Sequence, residues 1–243
     1  MKPFDTYFGG KSGSGTYQTI INQIPPHELY IEPFVGNGGI FRNKRPAECS
    51  LLADLDPTVV DAWQQEGIKQ IDDIFDFAAG SNIFLVDALD LLSTGKKWFA
   101  GKKWFDRKNA FIYLDPPYPL STRASYNRYN HELTDQDHEL LLRVIDSYSE
   151  AQIAISTYPN DLYGTMLADW RRIEYSSTTR GGQVTEWLFC NYPEPTELHD
   201  YRYVGADYRE RERIAKKVRR HVAKFRKLPE LERKAIIQAI QEN

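Results

Sequence analysis

The sequence predicts a doubly wound α/β fold: a mostly parallel sheet, an antiparallel hairpin at one edge and a helical appendage at the C-terminus. Five short apolar runs recur through the first 160 residues, with helix-like segments between them. Continuous apolar strands alternating with helices are the pattern of a parallel sheet covered on both faces. Two further strand-like runs joined by Gly181-Gly182 then read as a hairpin closing one edge.

In chain order, ELYIEPFVGNGGIF (28–41) reads as a strand running into a glycine-rich turn. SLLADLDP (50–57) and SNIFLVDAL (81–89) are apolar runs that end in acids. AFIYLDPPY (110–118) is the fourth run and QIAISTY (152–158) the fifth. Helix-like segments cover Pro57 to Gln65, Gln70 to Ala79, Thr134 to Ser149 and Asn160 to Ala168, with Thr134 and Asn160 as N-caps. Four or five parallel strands are therefore expected. In such sheets ligands sit beyond the carboxyl ends of the strands, and GNGG, Asp54, Asp87 and DPPY all fall there.

The pentapeptide GKKWF occurs at 95–99 and again at 101–105. Interleaved basic and aromatic residues can bind single-stranded nucleic acid. Its position just before the fourth strand puts it at the opposite end of the sheet from the expected site, which favours a surface hairpin with half-buried tryptophans. From Gly205 onward the chain turns helical and charged. Ile214, Val218, Val222 and Phe225 share a helical face, and Pro229 opens a second helix carrying Leu231, Ile236, Ile237 and Ile240. The expected organisation is a domain over 1–204 and a helical extension over 205–243 that packs its apolar stripe on the body.

The chain has a net charge of −3, unevenly spread. Residues 205–243 hold 12 Lys/Arg against 6 Asp/Glu, so a basic tail follows an acidic body. That asymmetry points to a polyanionic partner. Cys49 and Cys190 have no metal-type spacing and make no disulfide framework, so both are expected as small buried groups and no metal is expected. There is neither a signal-peptide pattern nor a membrane-length apolar run, and a cytoplasmic protein is expected.

The chemistry lies in two motifs. Gly36 and Gly38 let the backbone turn tightly after the first strand and approach a ligand. Asp54, at the end of the next strand, suits the hydroxyls of a ribose. The full G-x-G-x-x-G spacing is missing, which disfavours a nicotinamide cofactor and leaves open one containing adenosine. In DPPY, Pro116 and Pro117 make a stiff extended hook and Pro116 keeps Asp115 out of the helical region. A carboxylate beside a proline carbonyl matches the two N–H donors of an aromatic amine. Tyr118 supplies a ring for a base to stack on, a contact of roughly 1–3 kcal/mol.

These motifs, in this order, resemble the D12 class of DNA adenine-N6 methyltransferases, which includes the Dam methylases. TYFGGK, YIEPFVGNGGIF, LLADLDP, IFLVDALD, IYLDPPY, ISTYPNDLY and TEWLFCNY carry the resemblance, across residues 4 to 193. It implies a Rossmann-like fold that binds S-adenosylmethionine. Tyr7 and Lys11 would border cofactor and target; Phe34, Gly36 and Gly38 would surround the methionine moiety. Asp54 would meet the ribose, with Asp56 before Pro57 better suited to a helix cap. Asp87 and Ala88 would lie at the adenine, and Asp115 between cofactor and target.

The implied substrate is an adenine in double-stranded DNA, flipped out so that its N6 reaches Asp115 and the Pro116 carbonyl. Arg123, Tyr126, Arg128 and Tyr129 in the loop after the hook, with Arg180 in the hairpin turn, are the expected DNA contacts. His131 reads as a polar loop residue. Dam-like members carry a sizeable recognition insert, whereas only about 30 residues separate Asp56 from Asp87 here. The basic helices could substitute for it, and a restriction endonuclease partner is left open. Cytosine N4 presents a similar amine, and a DNA-binding module that senses the cofactor without turnover is the reading from another class.

Overall fold

The computed structural model describes residues 11–13, 15–73, 79–95, 98–99, 102–103, 105–123, 130–179 and 182–242. The chain divides into two compact units, Met1–Asp200 and Tyr201–Asn243.

In the first unit, α1 (Thr16–Ile21) precedes β1 (Leu29–Glu32), α2 (Gly39–Asn43), β2 (Cys49–Asp54), α3 (Pro57–Gln65), β3 (Lys69–Ile71), β4 (Gly80–Leu85) and α4 (Ala88–Gly95). A small ribbon of β5 (Trp98–Phe99) and β6 (Lys102–Lys103) leads to β7 (Ala110–Leu114). Then come α5 (Asp135–Asp146), β8 (Gln152–Thr157), α6 (Asp161–Met166), β9 (Arg171–Thr179) and β10 (Gly182–Cys190). The main sheet has the order β3-β4-β2-β1-β7-β8-β10-β9. Six strands from β3 to β8 pair in parallel, and β10 pairs antiparallel with both β8 and β9. This is a Rossmann-like sheet with the expected edge hairpin.

The continuous apolar runs are explained by cover on both faces. All of Leu29–Glu32 and Ala110–Leu114 are buried. Leu29, Ile31, Ala110, Ile112 and Leu114 join Leu91, Leu92, Leu141, Leu142 and Ile145 of α4 and α5 in one core. On the other face Tyr30 stacks with Phe111, its ladder partner, at 6.2 Å. Helix ends follow local chemistry. Thr134 and Asp137 form a reciprocal capping box on α5, and Asn160 accepts from the Tyr163 amide at 2.9 Å to start α6.

One expected element is corrected. Within the segment read as a helix from Gln70 to Ala79, residues Gln70 and Ile71 belong to β3, parallel to β4; residues 74–78 lie outside the described chain. Pairing at the sheet edge leaves Ile71 only 2% exposed, and this long-range burial overrides the local pattern. It also raises the parallel strands to six. Within the GKKWF repeat, Trp98–Phe99 and Lys102–Lys103 pair antiparallel, with Trp98 opposite Lys103, while the expected half-burial of the tryptophans lies outside the described residues. Gly95 ends α4 beneath Phe105, whose ring lies where a Cβ would stand, 2.0 Å from the nearest ring carbon. Cys190 is buried but Cys49 only half so, and both are free thiols.

In the second unit, Asp207 caps α7 (Tyr208–Arg226) by accepting from the Glu210 amide, and Pro229 precedes α8 (Glu230–Gln241). Pairs such as Lys216–Glu212 and Lys234–Glu230 line these helices. Val218, Val222, Leu231, Ile236, Ile237 and Ile240 are exposed. Among the described residues, no helix is long and apolar enough to cross a membrane.

Candidate active site

The strand order reverses between β1 and β7. The chain moves outward from β1 to β2, then crosses back from β4 to β7 on the other side of β1. Connections leave β1 and β7 toward opposite sides, so a crevice opens past their carboxyl ends. Glu32-Pro33-Phe34 ends one of these strands and Asp115-Pro116-Pro117-Tyr118 the other. A cleft with about 890 Å³ of empty space, its open mouth included, lies here. Its walls bring together Lys11, Phe34, Gly36, Gly38, Asp54, Asp56, Asp87, Ala88, Asp115, Pro117 and Tyr118.

The glycine loop is built by close approach. Gly36 and Gly38 have φ of 43° and 61°, left-handed values that glycine adopts without a Cβ clash. A Cβ on Gly38 would stand 2.5 Å from the Trp63 ring. That ring is itself held, because its Nε1 donates to the Gly36 carbonyl at 2.9 Å and Arg42 stacks on it at 3.9 Å. Gly39 packs on the backbone of Lys11, where a Cβ would come within 2.9 Å. The loop therefore also positions the segment that carries Lys11.

Asp54 accepts from the amides of Gly36 (2.9 Å) and Asp56 (3.0 Å), tying the glycine loop to the end of β2. Burial raises its carboxyl above the usual range and these amides oppose the rise. Asp56 caps α3 through the Thr58 amide and hydroxyl, and also accepts from Asn130 at 2.7 Å. Asp87 caps the next helix, accepting from the Leu89 amide at 2.7 Å. The lateral carboxylates are thus oriented by backbone donors at the cleft rim.

Asp115 receives the Lys11 ammonium on both oxygens, at 2.7 and 2.9 Å. Burial pushes its carboxyl upward, Lys11 pulls it down and Glu186 pushes it up again; the net direction is upward. Tyr118 lines the cleft but is only 6% exposed. Its hydroxyl donates to Glu186 at 2.7 Å, Tyr158 meets its ring edge-on at 4.6 Å, and the Lys11 ammonium lies 4.9 Å from the ring centre. The ring expected to offer an open face therefore has a cation against it, because the ammonium that neutralises Asp115 also gains from the adjacent π-face.

Three features of the site were not read from the sequence. Glu186 is 3% exposed and accepts from both Tyr118 and Tyr175. Burial alone would raise its carboxyl, but Lys11 and these hydroxyls hold it below the usual range. A signal existed, since Glu186 alternates with Leu188 and Cys190, both buried, toward the end of its strand. Glu32, fully enclosed, is pushed up to about 8 by burial and accepts from the Tyr30 hydroxyl at 2.8 Å. Asn130 and His131 line the cleft beside Asp54 and Asp56, so His131 is a wall residue and not merely a polar loop group.

Arg123 differs from its expected role. Its side chain is 3% exposed and forms a two-pronged pair with Glu132, at 3.0 and 2.5 Å, instead of presenting charge outward. Tyr7, Tyr126, Arg128, Tyr129 and Arg180 lie outside the described residues. No metal-ligating cluster occurs among the described residues.

The cleft suits S-adenosylmethionine on its own chemistry. A glycine cradle admits a ligand close to the backbone. The Asn37 side-chain oxygen is buried with no partner, so it would accept from a ligand donor. The rim carboxylates of Asp54 and Asp56 match ribose hydroxyls.

Residues 102–179 match the family model of the D12 class N6 adenine-specific DNA methyltransferases. The match takes in the hook, β7 and β8, and leaves the glycine loop outside. Among curated proteins, no sequence matches this chain. Among solved structures, the chain is similar to the yhhF protein of Escherichia coli, at 14% identity over 79% of this chain and 91% of that one, with a TM-score of 0.45. Human methyltransferase-like protein 13, in complex with SAH, shares 17% identity over 84% and 85%, with a TM-score of 0.43. Magnesium protoporphyrin IX methyltransferase from Synechocystis, with bound SAM, shares 10% over 72% and 75%, with a TM-score of 0.42. The partial family match and the sheet topology support an S-adenosylmethionine-dependent methyltransferase in the general sense.

Proposed function

We propose that the chain methylates the exocyclic N6 of adenine in DNA, with S-adenosylmethionine as methyl donor and the target base flipped into the DPPY pocket. The observation that carries this reading is a single cleft at the strand-order reversal, shared by the glycine loop on one side and by Asp115 and Tyr118 on the other. S-adenosylmethionine in that cleft would supply an electrophilic methyl group. Phe34, Gly36 and Gly38 would flank its methionine moiety, Asp54 or Asp56 its ribose, and Asp87 and Ala88 its adenine.

The lone pair of an adenine amine is delocalised into the ring, which makes N6 a poor nucleophile. Asp115 and the Pro116 carbonyl would each accept one N6 hydrogen, favouring a more tetrahedral nitrogen with its lone pair aimed at the methyl group. Pro117 keeps the hook rigid, and Tyr118 offers its ring to the base. Acceleration then comes from placement and electrostatics, with no strong base required. Extrusion of the base costs a few kcal/mol, part of which stacking returns. Tyr126, Arg128, Tyr129 and Arg180 are proposed as contacts to the DNA around the pocket, and the basic helices of 205–243 as a phosphate-binding surface.

Plasmid DNA from cells expressing the protein is expected to contain N6-methyladenine. Asp115→Ala should abolish it while DNA binding persists. N4-methylcytosine as the sole modified base would overturn the adenine assignment, and DNA left unmodified by folded protein with S-adenosylmethionine would overturn the reaction.

A further inference from the structure

We infer that Glu186 is a positioning residue that takes over the Lys11 ammonium when a substrate amine claims Asp115. This rests on the methyl-transfer reading above and adds a residue that the hook motif does not contain. The geometry is that of one cation between two acids. The Lys11 ammonium lies 2.7 and 2.9 Å from the two Asp115 oxygens and 3.4 Å from Oε2 of Glu186. The side chains of Lys11 and Glu186 are each 4% exposed, and that of Asp115 17%.

An amine that donates to Asp115 competes with Lys11 for the same oxygens. A buried ammonium stripped of its carboxylate and given no replacement is strongly destabilising. Glu186 removes that obstacle, because a small shift brings the ammonium onto a second carboxylate without passing through water. A carboxylate has about four acceptor positions, so Glu186 can hold Lys11 together with the hydroxyls of Tyr118, Tyr175 and Ser177.

The same shift would clear the stacking surface. Glu186 sits at the hydroxyl edge of Tyr118, held there by the 2.7 Å hydrogen bond, whereas the ammonium now lies against the ring. Moving from Asp115 toward Glu186 carries the cation toward the ring edge. Glu186 therefore couples two events that substrate binding needs: release of the Asp115 acceptors and exposure of the phenol face. Tyr175, on the adjacent strand, fixes Glu186 from the far side at 2.8 Å.

The test compares Glu186→Gln and Glu186→Asp in the full chain, on a duplex that the unaltered protein methylates. Glu186→Gln should lower kcat/KM for DNA by at least about tenfold while the Kd for S-adenosylmethionine holds, and Glu186→Asp should recover most of the loss. The acid limb of the pH–rate profile separates this role from a merely structural one. Asp115 is faced by the Lys11 ammonium, by the carboxylate of Glu186, by the carboxyl of Glu32, which is protonated across the acid limb, and by the phenols of Tyr30, Tyr113, Tyr118, Tyr163 and Tyr175. Burial holds these phenols protonated well above neutral pH. Glu186 raises the Asp115 carboxyl, so removing its charge should move the acid limb to lower pH.

Glu186→Gln with unaltered kcat/KM, or with an acid limb that stays in place, overturns the inference. Should that variant fail to fold, the unaltered chain decides. A crystal structure with S-adenosylhomocysteine and the target duplex should place the Lys11 ammonium on Glu186 and off Asp115, and a base in the pocket with Lys11 still bridging both Asp115 oxygens overturns the inference. Wild-type protein that methylates no DNA defeats the underlying reading as well, whereas active wild type with an unaffected Glu186→Gln defeats this inference alone.

Discussion

Replacing Gly38 by alanine tests how the cofactor loop is held. Two costs follow from the geometry. An alanine at φ 61° sits in the left-handed region, which costs roughly 1–2 kcal/mol. Its Cβ would also stand 2.5 and 2.7 Å from two carbons of the Trp63 ring, a separation that neither can keep. The ring has little freedom to yield, because Arg42 stacks on it and its Nε1 is bonded to the Gly36 carbonyl. Swinging it away leaves a buried N–H unpaired, at about 1–3 kcal/mol; moving the loop instead displaces Gly36 from Asp54. Partial relaxation makes these costs less than additive, and a net loss of about 2–4 kcal/mol is expected. Urea unfolding measures the stability, and titration calorimetry with S-adenosylmethionine measures the loop, where at least a tenfold weakening (about 1.4 kcal/mol) is expected. Gly67→Ala is the control: its φ is 88° with no atom within 4 Å of the added Cβ, so it bears backbone strain alone. A Gly38→Ala protein that matches this control in both measurements would refute the reasoning.

Two further outcomes are expected. His27, stacked on His199 at 3.8 Å, has its pKa pulled down to about 2, chiefly by burial. A lowered folded value means that the neutral ring stabilises the fold above the unfolded value near 6.5 and loses that contribution as pH falls below it. Between pH 6.5 and 4.5 the unaltered chain should therefore lose about 2.5 kcal/mol relative to His27→Phe, measured by urea unfolding at each pH. The comparison cancels the opposite contribution of Glu32, whose raised carboxyl favours the fold as pH falls from about 8; identical pH slopes would dismiss the effect. Deleting residues 205–243 should weaken DNA binding and flatten its dependence on salt, because fewer cations then displace phosphate counterions; an unchanged salt titration would remove these helices from the interface.

Much of the fold was legible because its rules are local. Five apolar runs became parallel strands, and Thr134, Asn160 and Asp56 capped helices through their own side chains, needing nothing from distant residues. β3 was misread because an edge strand of three residues shows no period of its own, and only its ladder with β4 makes it a strand. Asp115, Tyr118 and the glycine loop stood out in the candidate site because proline and glycine restrict the backbone in ways that letters reveal. Arg123 looked like a phosphate contact because its partner, Glu132, stands nine residues further along the chain and no local rule pairs them.

The order of apolar runs, prolines and glycines by itself determined a doubly wound sheet with a rigid acidic hook at the mouth of its crevice. Folding alone decided what the hook touches. Lys11 meets Asp115 across 104 residues, and Glu186 reaches Tyr118 across 68. Backbone preference acts between chain neighbours and can be read in sequence, whereas the pairing of buried charges depends on which strands the completed sheet sets side by side.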